Sequence, residues 1–184
     1  MSSVIKDLSP SSQRTIAIVE NELAYSYVRK IGIGKFGDVV SLRNKDGHLR
    51  AGMIVSKVDK KAYLDIWPKR DNENLLKLEK IIFVPTVPSY CFVTENYFTS
   101  LDVMFELPVF QEDACNIVDL KRWLISIFRG LQYLHKKSLC HLNITGSSIL
   151  ISCNSKARIG GFSHVRPSTE PVTRWVSSFR VFVL

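Results

Sequence analysis

The chain has 184 residues, of which 46% are hydrophobic and 23% charged, values that exclude a disordered or low-complexity polypeptide. A chain of this length can bury roughly 70% of the surface its unfolded form exposes, so one domain or two small lobes can fold without disulfides or metals. The formal charge of +8 is spread along the sequence, and its densest run, "KVDKK" at 57–61, has no interleaved aromatic residues; it reads as a solvated strand end, and a nucleic-acid partner is not expected.

Residues 1–14 are Ser-rich and are expected to form a flexible leader. "YSYVRKIGIG" (25–34) and "DVVSLRN" (38–44) have strand character, and Asp46-Gly47 marks a hairpin leading into a third strand over 49–58. Short connections make these strands an antiparallel meander. "RDNENLLKLEK" (70–80), following Pro68, is expected to be a short helix. "IIFVPTVPSYCFVTEN" and "SLDVMFEL", rich in β-branched and aromatic residues, read as two more strands that complete a five-stranded sheet. "VDLKRWLISIFRGLQYLHKK" (118–137) then places Leu120, Leu124, Ile127, Phe128, Leu131 and Leu134 at helical spacing, with Asp119 as the expected N-cap. Short strands follow in "SILIS" and "ARIGGF", separated by the turn "CNSK". The remainder reads as a loop with a short apolar end.

Cys91, Cys115, Cys140 and Cys153 form no CxxC pair and have no metal-ligand spacing with the four histidines. No metal site is expected, and the cysteines read as buried thiols of a reducing compartment. The start of the chain lacks a basic segment followed by an apolar run, and no stretch reaches the roughly 18 apolar residues of a membrane helix. The expectation is a cytoplasmic or nuclear protein with no signal peptide and no membrane span.

Gly32, Gly34 and Gly37 have G-x-G-x-x-G spacing, which two kinds of phosphate-binding loop share. A dinucleotide site needs a helix directly after the glycines, whereas the other kind needs a second strand running into a hairpin. "DVVSLRNKDGH" favours the second. Missing side chains at these positions let backbone N–H groups approach phosphate oxygens, and Val39 would cover an adenine ring.

With what lies downstream, the chain resembles the protein-kinase superfamily from about Tyr25 onward. "IVSK" (54–57) is similar to the third-strand V-A-I-K motif, so the resemblance makes Lys57 the lysine that holds the α- and β-phosphates and sets Val55 against the adenine in place of a smaller alanine. It implies an acidic partner for Lys57, either Asp71 or Glu73, with Glu73 closer in side-chain length. "DVMFELP" resembles a fifth strand entering the hinge, with Phe105 as gatekeeper and Glu106 and Leu107 as hinge residues. "HLNITGSSILI" is similar to H-R-D-L-K-x-x-N and its apolar strand, and "RIGGFSHV" falls where D-F-G belongs, Gly161 lying eighteen residues beyond Asn143. "VTRWVSSFRVFVL" resembles the end of an activation segment, with Ser178, Phe179 and Arg180 in the A-P-E places.

The resemblance implies an α+β, protein-kinase-like fold: a five-stranded N-lobe with one helix over 15–107, then an incomplete, mainly helical C-lobe over 108–184 that ends just after the activation segment. It also shows what is changed. Asn143 replaces the catalytic aspartate, Thr145 the lysine that neutralises the transferring phosphate, Ser148 the metal-binding asparagine and Gly161 the metal-binding aspartate. An amide is no base at physiological pH, and without metal ligands the main electrostatic term of phosphoryl transfer is gone. Leu142 stands where an arginine binds a phosphorylated activation loop. By contrast His141 and Phe162, which stack between lobes in kinases, are kept, as are Val39, Val55 and Leu150, flanked by Ile149 and Ile151, for an adenine sandwich. His135 and His164 read as surface or loop histidines.

The expectation is a pseudokinase that binds ATP weakly and without magnesium and acts on a protein partner, a kinase or a kinase substrate, as scaffold, allosteric regulator or mimic. The alternatives are a weak or unconventional ATP-dependent kinase and a shortened isoform with no independent function. An exposed apolar underside is expected on the helix at 118–137 and on "VFVL".

Overall fold

Burial alternates along Gly37–Arg43 and then becomes continuous, as a strand covered on both faces requires. The computed structural model describes residues 7–23, 25–34, 37–56, 61–67, 71–108 and 117–169. In chain order the first elements are α1 (Pro10–Leu23), β1 (Ser26–Gly34), β2 (Gly37–Arg43), β3 (Leu49–Val55), β4 (Leu78–Val84) and β5 (Ser89–Glu95). They form a five-stranded sheet in the order β1-β2-β3-β5-β4, in which every neighbouring pair is antiparallel. The Asp46-Gly47 turn is as expected: Gly47 has φ +83°, and the Asn44 side chain accepts the N–H groups of Asp46 and His48.

The make-up of the sheet corrects the sequence expectation in two places. "IIFVPTVPSYCFVTEN" is a hairpin of two strands rather than one, broken at 85–88 where Pro85 and Pro88 cannot supply ladder donors. "SLDVMFEL" is no strand: Leu101–Glu106 is a helix, α2, preceded by the two-residue β6 (Thr99–Ser100). The expected helix at 70–80 is also absent. Residues 71–77 carry no helix, Leu78 opens β4, and a π-helical turn at Lys61–Ile66 precedes them.

The leader expected over 1–14 is corrected for residues 7–14. Ser9 caps α1 by accepting the Ser12 N–H, and Pro10 stands at the first helical position, where its missing N–H costs nothing. Leu8, Ile16 and Val19 join Val40, Leu42, Ile54, Ile82, Val84, Cys91 and Val93 in one core cluster. Helix α1 therefore covers a face of the sheet.

The chain divides into two compact units, Met1–Val58 with Leu78–Asn96, and Asp59–Lys77 with Tyr97–Leu184. The division sets 59–77 and 97–107 with the second unit, where the sequence reading drew its boundary after 107. The second unit holds α2, α3 (Ile117–Lys136), β7 (Leu139–Cys140), β8 (Ile149–Ile151), β9 (Ala157–Ile159) and β10 (Arg166–Pro167). Helix α3 runs close to its expected bounds, but Asp119 lies in its first turn, 3.0 Å from Arg122, and is not the N-cap. Its buried residues are Trp123, Gly130 and Leu134, whereas Leu124 and Phe128 are exposed. Cys91 is buried, and burial pushes its thiol up to about 12; Cys153 is exposed, against expectation. Cys115 and the segment 170–184, with Ser178, Phe179, Arg180 and the apolar end, lie outside the described residues.

Candidate functional site

Gly32 and Gly34 lie in β1 and Gly37 opens β2, with Gly34 paired to Gly37 and Gly32 to Val39. A strand follows the glycines, so the dinucleotide alternative is excluded. Gly37 has φ +155°, and a Cβ there would meet the Ile54 carbonyl oxygen at 2.0 Å; β3 passes too close for any side chain. Gly34 has ordinary contacts at 3.5 Å, and among the described residues nothing lies within 4 Å of a Cβ at Gly32, which leaves the β1 backbone there open to an approaching anion. Val39 is half-buried and Val55 fully buried. Lys57 lies outside the described residues.

Asp38, directly after Gly37, is a buried carboxylate that the sequence reading missed. Lys30 stands 2.7 Å from Oδ1, and the Ser9 N–H donates to Oδ2 at 3.0 Å. Burial alone would raise its pKa, but hydrogen bonds from Lys30, Ser12 and Ser9 outweigh that and hold it at about 2.

In the second unit, His141 is buried, with Nε2 2.8 Å from the Gly160 carbonyl oxygen and Nδ1 3.3 Å from the Asn143 N–H. These partners fix the neutral tautomer with the proton on Nε2. Burial lowers the pKa to about 4, the Gly160 hydrogen bond opposing and His164 adding to the shift. Phe162 lies 5.8 Å from the His141 ring and stacks on Trp67 at 5.4 Å, with Trp67 in turn donating to the Leu76 carbonyl at 2.8 Å. His141 and Phe162 thus meet as expected. Trp67, which gave no sequence signal beyond being a large aromatic, completes the stack.

The loop between them is turned inward. Ser148 Oγ accepts the Thr145 N–H at 2.9 Å and donates to the Thr145 carbonyl at 2.8 Å, and Ser148 itself is buried. Its carbonyl accepts the Gly160 N–H at 2.7 Å, joining the loop to the end of β9. Gly161 has φ +70°, and a Cβ there would lie 3.0 Å from the Ser148 Cβ. Leu142 also has positive φ, +61°, a conformation that costs a branched residue about 1 kcal/mol and requires support from its surroundings. Leu150, half-buried in β8, flanks Gly160, while Ile149 and Ile151 are buried.

Four other expected site residues stand elsewhere in the fold than the sequence reading set them. Phe105 and Glu106 belong to α2 and Leu107 caps its C-terminus, so the fifth strand ends at Glu95 and they do not continue it. Glu73 is exposed in an irregular segment and not on a first helix; Asp71, also exposed, lies 3.4 Å from Lys77.

Magnesium requires hard oxygen ligands, usually carboxylates. At the two expected ligand positions this chain offers a hydroxyl already committed to Thr145 and a glycine, so the residues present do not fit the ion. No cluster of three or more His, Cys, Asp or Glu suited to a metal occurs among the described residues. No helix of the described residues is long and apolar enough to cross a membrane.

Comparison with known proteins gives a match to the protein kinase domain family over residues 25–181. Similar curated proteins include cyclin-dependent kinase C-3 of Oryza sativa subsp. japonica, 23% identical over 90% of this chain and 54% of that protein. The mitogen-activated protein kinase HOG1 of Eremothecium gossypii is 28% identical over 84% of this chain and 35% of its own length. The corresponding kinase of Botryotinia fuckeliana is 27% identical, with 84% and 44% covered. The chain thus spans about half, or less, of the length of these relatives.

Proposed function

Because the chain belongs to the protein kinase family, we propose that it works by binding a protein partner, a kinase or a kinase substrate, and does not transfer phosphate. The observation that carries this reading is the state of the loop at 141–148 and of Gly161. Asn143, Ser148 and Gly161 bring no carboxylate or metal-ligand set, and the Ser148 hydroxyl is closed on Thr145. Loss of the base alone costs a factor of about 10² to 10⁴, and loss of metal charge removes the main stabilisation of the transition state. The glycine hairpin supports residual ATP binding through its backbone, weak and independent of magnesium.

A protein partner is favoured by the apolar stripe of α3, where Ile117, Val118, Leu124, Ile125 and Phe128 are all exposed. A scaffold, allosteric regulator or mimic would use such a surface.

Two measurements test the reading. Thermal shift with ATP is expected to be small and the same with or without magnesium. Radiolabelled phosphotransfer should stay at background; a signal abolished by Lys57→Ala would instead establish a weak kinase using the surviving glycines.

A further inference from the structure

The start of α1 and the glycine-rich hairpin meet at one buried carboxylate. Lys30 and the Ser9 N–H hold the two oxygens of Asp38, and the Ser12 hydroxyl adds a further hydrogen bond. Lys30 also donates to the Asp7 carbonyl at 2.9 Å, and Ser9 Oγ donates to Ser12 Oγ at 2.9 Å. Ser12 and Asp38 are buried, but Ser9 is exposed, and Pro10 follows it.

We propose that Ser9 is a phosphorylation site, modified by a protein kinase that takes serine followed by proline, and that its phosphate releases α1 from the glycine-rich hairpin. Ser9 lies outside the helix, on the non-helical side that a following proline favours, so its hydroxyl can be reached without unwinding α1. In the transfer, Ser9 Oγ bonds to the γ-phosphorus of a nucleoside triphosphate. The bond from that phosphorus to the β–γ bridging oxygen breaks, the diphosphate leaves, and the hydroxyl proton passes to the base of the modifying enzyme.

A phosphate at a helix N-terminus ordinarily stabilises it. Here the sign is reversed, because Asp38 already occupies that position. Lys30 and the Ser9 N–H are committed to its carboxylate, and among the described residues one cation, Lys30, stands against one negative charge. A group of charge about −1.5 to −2 beside it would set excess negative charge against the buried Asp38 carboxylate. Loss of the contact would loosen Ile16 and Val19 from the core and free the hairpin that carries Gly32, Gly34 and Gly37.

The full chain is incubated with ATP and a proline-directed protein kinase, phosphate is mapped by mass spectrometry, and amide hydrogen exchange is followed over 10–23. Phosphate on Ser9 with at least about tenfold faster exchange, reversed by a phosphatase, is expected. Ser9→Glu should reproduce the acceleration, Ser9→Gln should not, and Asp38→Asn should suppress most of the effect of Ser9→Glu. No phosphate on Ser9, or a phosphorylated chain with unchanged exchange, would overturn the proposal. Should Asp38→Asn fail to fold, the Glu and Gln variants decide it in the parent chain: equal exchange in the two would remove the role of charge.

Discussion

His141 is neutral because it is buried between a carbonyl acceptor and an N–H donor, and protonation would break the second of these contacts. Its pKa falls from the ordinary 6.5 to about 4, so the unfolded chain takes up a proton that the folded chain refuses. Its contribution to stability is complete above pH 6.5 and disappears as the pH falls to about 4, a loss of roughly 3 kcal/mol. Denaturant titrations at pH 7.5 and pH 4.5 should show the difference, and His141→Asn should flatten it. Gly37 gives a second test: Gly37→Ala drives a methyl into the Ile54 carbonyl and should cost about 2–3 kcal/mol, read from the same titrations, whereas Gly32→Ala, with no described residue within 4 Å, should cost less than about 1 kcal/mol. At this scale the glycine spacing, His141 and Phe162 were legible in the sequence because each depends on local backbone geometry or on a motif. Asp38 and Trp67 were not, since their partners Ser9 and Phe162 lie far away in the chain.

Among the elements, those with a long and regular pattern were read correctly. The meander and α3 follow from alternation and helical spacing, but "DVMFEL" did not announce a helix, because a six-residue apolar segment fits either period. Which face of α3 is buried was also hidden. The exposed apolar underside expected on this helix is present through Leu124 and Phe128, but that the packed face runs through Trp123, Gly130 and Leu134 was not legible. Gly130 makes that packing possible: a Cβ there would lie 2.8 Å from Ile159 Cδ1 and 3.1 Å from the Asn74 carbonyl oxygen. Alanine normally stabilises a helix by about 1 kcal/mol over glycine. Gly130→Ala should instead destabilise by about 1–2 kcal/mol, measured as a lower unfolding midpoint, because the backbone at Asn74 cannot yield as a side chain would.

For the molecule as a whole, the family match begins at residue 25, but the core of the first unit begins earlier. Leu8, Ile16 and Val19 are buried, and at about 2 kcal/mol each their removal takes away roughly 6 kcal/mol, comparable with the whole stability of a small domain. A chain starting at residue 25 should therefore lose cooperative unfolding and bind a hydrophobic dye, whereas the full chain should give a sharp transition in a thermal melt. The Ser-rich composition of 1–14 suggested a leader, but Ser9-Pro10 with Ile16 and Val19 three residues apart is the signature of a capped helix with one apolar face.

The sequence by itself determined the three-stranded meander, the glycine-rich hairpin and the absence of carboxylates at 143, 148 and 161, because these rest on residue type and on spacing along the chain. Only the tertiary structure decided that α1 closes the sheet, that Asp38 binds Ser9 and Lys30, and that Trp67 stacks on Phe162. Each of these pairs residues distant in sequence, and a packed core selects such partners by shape and charge once the chain has folded.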